Sequence, residues 1–214
     1  LITSYIQNIN TNLIGDFHGE WRPAISNWIV EMSRLLHIGY ILTIDYGYEN
    51  LERFAQTRKD GSVRVYQNHS QANDFYQNIG EQDITADVDF GQISKLGQEE
   101  NIQTLCITNQ STFLRHHGFG SFIGQLRNMD LDELEKQANR VGMMELVKAP
   151  GLGDFKVMIQ EKNTGVADPK ELLPHPDTLS DAQLPLLKRH HINLMESRYP
   201  HLAWTPDSYQ WPFQ

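Results

Sequence analysis

Between Arg22 and His37 the apolar positions of "RPAISNWIVEMSRLLH" recur with the period of a helix. Ala24, Ile25, Trp28, Ile29, Met32, Leu35 and Leu36 fall on one side at about 3.6 residues per turn. Pro23 suits the first turn, and Gly39 follows the end. The next pattern, "YILTIDYG" at 40–47, is nearly continuous in apolar residues and closes on a turn. Such a run predicts a strand covered on both faces, as in a parallel sheet between helices. Helix, tight turn and buried strand make half of a doubly wound α/β unit.

Residues 49–80 lose this regularity. They read as a long polar loop interrupted by one short strand, "SVRVY", and loops of that length usually carry a function. Order returns with "DFGQISKLG", a helix whose N-cap is Asp89, with Gln92 three residues on. The strand "IQTLCIT" follows, then helices over 110–117 and 131–147, the second capped by Asp130 with Glu133 at its third position. "DFKVMIQ" alternates Phe155, Val157 and Ile159 as a final strand. Beyond Thr164 the character changes again, because seven of the nine prolines lie at or after Pro169. One domain over 1–163 and an irregular extension over 164–214, holding a single helix near 181–198, is the organisation this predicts.

Composition narrows the function. An apolar fraction of 39% with 10% aromatics supports a packed core. A formal charge of −9 works against nucleic-acid binding, which needs basic surface to displace counterions, and against anionic lipid. No run approaches the ~20 apolar residues of a membrane-spanning helix. Cys106 has no second cysteine to pair with, which points to a reducing compartment.

Carboxylates dominate the candidate chemistry. "EQDITADVDFGQI" carries Asp83, Asp87 and Asp89 with Glu81 just before them. Asp83 and Asp87 share a face if the stretch is helical, whereas Asp87 and Asp89 share one if it is extended. The spacing is not that of a calcium loop, so the cluster is either a reacting group or a set of turn and cap residues. Asp45 stands out by its address at the carboxyl end of the best strand, where open α/β sheets collect ligands. The pairs His116–His117 and His190–His191 point about 100° apart on a helix and lack further metal ligands. Capping or solvated histidines are the reading there, and no metal is expected. "GFGSFIG" and "APGLGDF" lack the order of a phosphate loop, and Ser111 and Cys106 lack the setting of a nucleophile.

Three stretches together resemble one family: "GYILTIDYGY", "RKDGSVRVYQNHSQANDFYQNIGEQDITADVDF" and "TNQSTFLRHHG", with "LGDFKVMIQEK" matching its closing strand. They look like the second half of the S-adenosylmethionine-dependent methyltransferases of the MidA type, the family of the mitochondrial complex I assembly factor that methylates an arginine. The resemblance covers about residues 20–163. It implies the C-terminal part of a class I, Rossmann-like sheet with flanking helices, in which "YILTIDY", "IQTLCIT" and "DFKVMIQ" are the fifth, sixth and antiparallel seventh strands. The glycine-rich loop and acidic strand end that hold S-adenosylmethionine would then belong to a half missing upstream of Leu1, leaving no cofactor ligand assignable here.

What remains implies an acceptor side. Asp45, Asp83 and Asp87 are the expected catalytic carboxylates, orienting a guanidinium through paired hydrogen bonds. Tyr46, Tyr48 and Tyr66 offer aromatic faces to a cation, and His69 and Thr85 join the substrate wall. The implied partner is a protein, of the kind found among respiratory complex subunits, in a bacterial cytoplasm or a mitochondrial matrix. A sheet lacking its fourth strand also implies a homodimer through the open edge. The rival from another class is a binding or assembly module without catalysis.

Overall fold

The structure, a computed structural model, describes residue 20, residues 22–49, 61–67, 70–72 and 76–174, and scattered positions between 178 and 191. The described residues fall into two compact units: one within 1–110 and 154–172, the other within 111–153 and 173–214.

In the first unit, the apolar stripe forms α1 (Ala24–Leu35), followed by β1 (Gly39–Asp45) and the two-residue β2 (Gly47–Tyr48). Next come β3 (Arg64–Gln67), β4 (Ser70–Ala72), β5 (Asp83–Thr85) and β6 (Val88–Asp89). Helix α2 (Phe90–Glu99), β7 (Gln103–Asn109) and β8 (Lys156–Lys162) complete it. The larger sheet has the order β1-β8-β7, with β8 antiparallel to both neighbours. That agrees with the expected insertion of a last, antiparallel strand.

The core lies where α1 and α2 meet one face of this sheet. Ile29, Phe90, Ile93 and Met158 are buried together, with Ile25, Val88, Leu96 and Ile107 packed around them. Ile25 and Ile29 sit one turn apart on α1, and Phe90 and Ile93 share a face of α2, as the spacing requires. Gly97 lets α2 approach closely, since a Cβ there would stand 2.6 Å from the Gln160 amide. The far end of the helix layer is tied by Lys162, whose Nζ donates to both the carbonyl and the Oγ of Ser33 at 2.6 Å.

Strand β1 departs from expectation. It is not covered on both faces: Tyr40, Leu42 and Ile44 are 44%, 52% and 43% exposed, while the alternate residues are half-buried. Its apolar run is genuine on both sides, but among the described residues only β8 pairs with it, and antiparallel. The 49–80 stretch also holds more order than a loop. There β4-β3-β5 form a small antiparallel sheet in which Tyr66 faces Asp83 and Arg64 faces Thr85.

Asp89 caps α2 as its spacing predicts, accepting from the Gln92 N–H at 2.9 Å. In the second unit, α3 (Gln110–His116), α4 (Phe119–Asn128) and α5 (Glu133–Val147) follow one another. The cap of α5 is Asp132, not Asp130; it accepts from Glu135 N–H at 2.9 Å, repeating the same spacing two residues later. Helix α4 departs from expectation, because Gly120 and Gly124 weigh against helix. "GFGSFIG" is its start, with Gly118 at φ +98° ahead of it. Within this unit Gln125 donates to the Leu179 carbonyl (2.7 Å), and Asn139 exchanges two hydrogen bonds with the Leu187 backbone. The helix expected near 181–198 lies largely outside the described residues.

Met158 supports the core from the middle of the sheet. Met158→Ala should cost about 2–5 kcal/mol in urea denaturation, whereas Ile38→Ala, at a position 71% exposed, should stay within about 0.5 kcal/mol. Equal losses would displace the core from where it is placed here.

Candidate functional site

The site grows from the carboxyl end of β1. Asp45 closes the strand, and its Oδ1 accepts the Tyr46 N–H at 2.8 Å. The chain then turns directly into β2, which pairs in parallel with β6: Gly47 opposite Val88, Tyr48 opposite Asp89. The Tyr46 carbonyl accepts from Val88 N–H at 2.9 Å. Only glycine fits at 47, where a Cβ would stand 2.2 Å from the Val88 carbonyl oxygen and 2.7 Å from the Phe90 ring. This close crossing brings the "IDYGY" and "ITADVD" stretches face to face.

Tyr46 stands at the centre of the site. Its hydroxyl hydrogen-bonds the Thr85 hydroxyl, and its ring meets Phe155 edge-on at 5.6 Å. Burial first, then the charges of Asp45 and Asp87 and the Tyr66 hydroxyl, push its phenol above the usual tyrosine range. Thr85 thus bonds the phenol directly, while Asp45, Asp87 and Tyr66 act on it electrostatically, and Tyr46 is 38% exposed. On the small sheet, Arg64, Tyr66, Asp83 and Thr85 share a face by register. Arg64 Nη1 donates to the carbonyls of Gly61 and Val63. Lys156, opposite Asp45 across the sheet, pairs with Glu49 at 3.6 Å.

Of the residues expected in the site, Asp45, Tyr46, Tyr66, Thr85 and Asp87 come together, and Asp83 stands exposed on the same face. Asp83 and Asp87 do not share a helix face, because the chain is extended over β5 and into β6. Tyr48 departs from the expected aromatic wall: at 2% exposure it is a core ring, and its hydroxyl accepts from Arg22 Nη1 at 3.2 Å. His69 lies outside the described residues.

The sequence reading missed a polar knot behind the site. Glu20 Oε1 accepts the Ser62 and Val63 N–H groups at 2.5 and 2.9 Å. Its Oε2 faces the Ser62 hydroxyl (3.2 Å) and Arg22 Nη2 (3.4 Å). Burial pushes the Glu20 carboxyl up, but the two backbone donors and the Arg22 guanidinium together outweigh it and hold the group below its ordinary range. The only signal in the sequence was opposite charges at 20 and 22, on either side of Trp21.

The other candidates are occupied structurally. Nδ1 of His116 and of His117 hydrogen-bonds the carbonyls of Thr112 and Phe113, and the His117 ring stacks on Phe113 at 4.1 Å. Cys106 lies inside β7, its thiol pushed up by burial against one lowering backbone hydrogen bond. Among the described residues, no three His, Cys, Asp or Glu side chains gather as metal ligands. Among the described residues, no strand of the larger sheet leads through a glycine-rich turn into a helix.

Comparison with known proteins identifies the family and the fold. A family model described as "Putative S-adenosyl-L-methionine-dependent methyltransferase" matches residues 2–108. A curated relative, "Protein arginine methyltransferase NDUFAF7 homolog, mitochondrial" of Caenorhabditis elegans, is 43% identical over 58 residues, which is 27% of this chain and 12% of the relative. Two crystal structures from Burkholderia thailandensis share the fold at 22% identity. One, of an uncharacterized protein, superposes with TM-score 0.67 over 78% of this chain and 44% of its own. The other, a "likely methyl transferase … bound to S-adenosyl-homocysteine", gives 0.66 over 77% and 42%. The chain thus spans less than half the length of these relatives.

Glu20 gives the knot a pH signature. Since its carboxyl sits below its ordinary value, its contribution is complete above that value and is lost as pH falls through the lower, folded one. From about pH 5 down to pH 3, the native protein should lose urea stability more steeply than Glu20→Gln. Parallel curves would show that the carboxylate contributes nothing.

Proposed function

Since the chain belongs to the family of S-adenosyl-L-methionine-dependent methyltransferases, we propose that it forms the acceptor side of a class I enzyme that methylates arginine on a protein. The observation that carries this reading is the gathering of Asp45, Asp87, Tyr46, Tyr66 and Thr85 at the carboxyl end of β1. Two carboxylates beside two aromatic rings suit a guanidinium. The carboxylates accept its N–H groups in charge-assisted hydrogen bonds, and the ring faces attract its charge. Asp83, exposed on the same face, supplies the first contact at the rim.

The donor, when bound, supplies an electrophilic methyl group on a sulfonium. The work left to this chain is to hold the acceptor nitrogen in line and to take up the proton it sheds. Asp45 and Asp87 do both: each orients the guanidinium plane, and one receives the proton and returns it to water. Thr85 fixes the Tyr46 hydroxyl so that the ring keeps its face toward the cation.

The partner in this reading is a protein of a respiratory complex, in keeping with a role in complex I assembly. The compartment is a bacterial cytoplasm or a mitochondrial matrix. No helix among the described residues is long and apolar enough to cross a membrane. The exposed side chains of β1 and its outer edge give a surface for pairing with a second copy. The rival reading is a binding or assembly module without catalysis.

Calorimetric titration separates the two. S-adenosylmethionine should bind the intact methyltransferase and not this chain alone, and failure of both to bind would favour the module. In the intact enzyme, Asp45→Ala and Asp87→Ala should each lower turnover on a protein acceptor by about 10²–10⁴-fold; undiminished turnover refutes the carboxylate roles. Light scattering should show a dimer of the chain, and a monomer at high concentration argues against the open edge.

A further inference from the structure

We propose that Ser62, with Glu20 and Arg22, is a positioning clamp that sets the distance between Tyr46 and the Thr85–Asp87 turn. The inference rests on the acceptor-site reading above and names the residues that hold that site in shape. The Ser62 side chain is 4% exposed, and its hydroxyl uses its whole capacity. It donates to Glu20 Oε2 (3.2 Å) and accepts from Arg22 Nη2 (3.0 Å) and from the Asp87 N–H (3.1 Å). One hydroxyl thus joins three segments, two of them far from the third in the chain.

The arrangement grips both sides of the site. Arg22 reaches β2 with its other nitrogen, Nη1, through the Tyr48 hydroxyl, two residues beyond Tyr46. Ser62 reaches the approach to β6 through the Asp87 backbone. Because β2 and β6 pair with each other at Tyr48 and Asp89, Tyr46 and Asp87 hang from the same two anchors. Glu20 keeps the anchors in place: its Oε1 holds the Ser62 and Val63 backbone, and its Oε2 balances the Arg22 charge. A buried hydroxyl with every position filled defines one geometry, and its loss leaves three polar groups without a common partner. The carboxylate of Asp87 therefore owes its place beside Tyr46 to a residue that touches no substrate.

A positioning role differs from plain stabilisation in acting through Asp87. In the intact enzyme, Ser62→Ala should lower kcat by about tenfold to a hundredfold while the donor KM stays unchanged. The same change in an Asp87→Asn background should have no further effect on kcat, because the residue it positions has already lost its charge. A second readout needs no activity. With ¹³C-tyrosine in the folded protein, and the Tyr46 resonance assigned through Tyr46→Phe, Ser62→Ala should move the Tyr46 titration down toward that of ordinary tyrosine. Equal kcat losses in both backgrounds, or an unmoved Tyr46 titration, overturn the clamp. Should Ser62→Ala fail to fold, Arg22→Lys keeps the charge but loses the fork that reaches Ser62 and Tyr48 together, and the same readouts apply. A wild-type enzyme that methylates nothing would sink the acceptor reading, and the Tyr46 titration would then decide on the clamp alone.

Discussion

Both hydrogen-bond ladders of the larger sheet run through β8. Without it, β1 and β7 lose the only strand that pairs with each of them among the described residues. Val157, Met158, Ile159, Gln160 and Glu161 are all buried, as an interior strand requires. Even the charged member is satisfied, since Glu161 Oε2 accepts from the N–H and hydroxyl of Thr164 at 2.9 and 2.7 Å. From Met158 the dependence continues outward. It packs with Ile29 and Phe90, Phe90 begins α2 directly after the Asp89 cap, and β6 ends on that cap. The placement of the Asp87 turn therefore traces back to a strand about seventy residues later in the chain.

Much of this was legible in the sequence where one pattern acted alone. The helix α1, the strand β8 and the capping pair Asp89–Gln92 each fall where a local rule puts them, although β8 is buried on both faces and not on alternate residues. Misreadings arose where two rules competed. The apolar run of β1 spoke for cover on both faces, yet burial alternates along it, because a run of residues does not say which neighbours are present. Asp130 and Asp132 both satisfy cap chemistry, and the choice fell to the one followed at once by the helix. Glycines at 120 and 124 hid α4 because they have poor helix propensity, whereas Gly118 suits the left-handed N-cap it occupies.

Strand-end position was legible: Asp45, with Tyr46 after it, closes β1 as its pattern predicts. The register that joins Tyr66 to Asp83 and Arg64 to Thr85 was not readable, because the 49–80 stretch has no clean alternation. Tyr48 looked like Tyr46 in sequence but is buried as a core ring, on a strand that pairs with β6. The Glu20–Arg22–Ser62 knot was hidden for a different reason. Ser62 lies about forty residues from the other two, and each is ordinary until the fold brings them into hydrogen-bonding range.

The insertion of β8 also has a consequence for biosynthesis. Roughly 110 residues separate β1 from its partner, so the strand emerges from the ribosome well before the segment that completes it. During that interval the backbone N–H and C=O groups of β1 that later pair with β8 have no ladder partner among the described residues. A translation pause or a truncation ahead of Lys156 would leave that edge open to pairing with another chain.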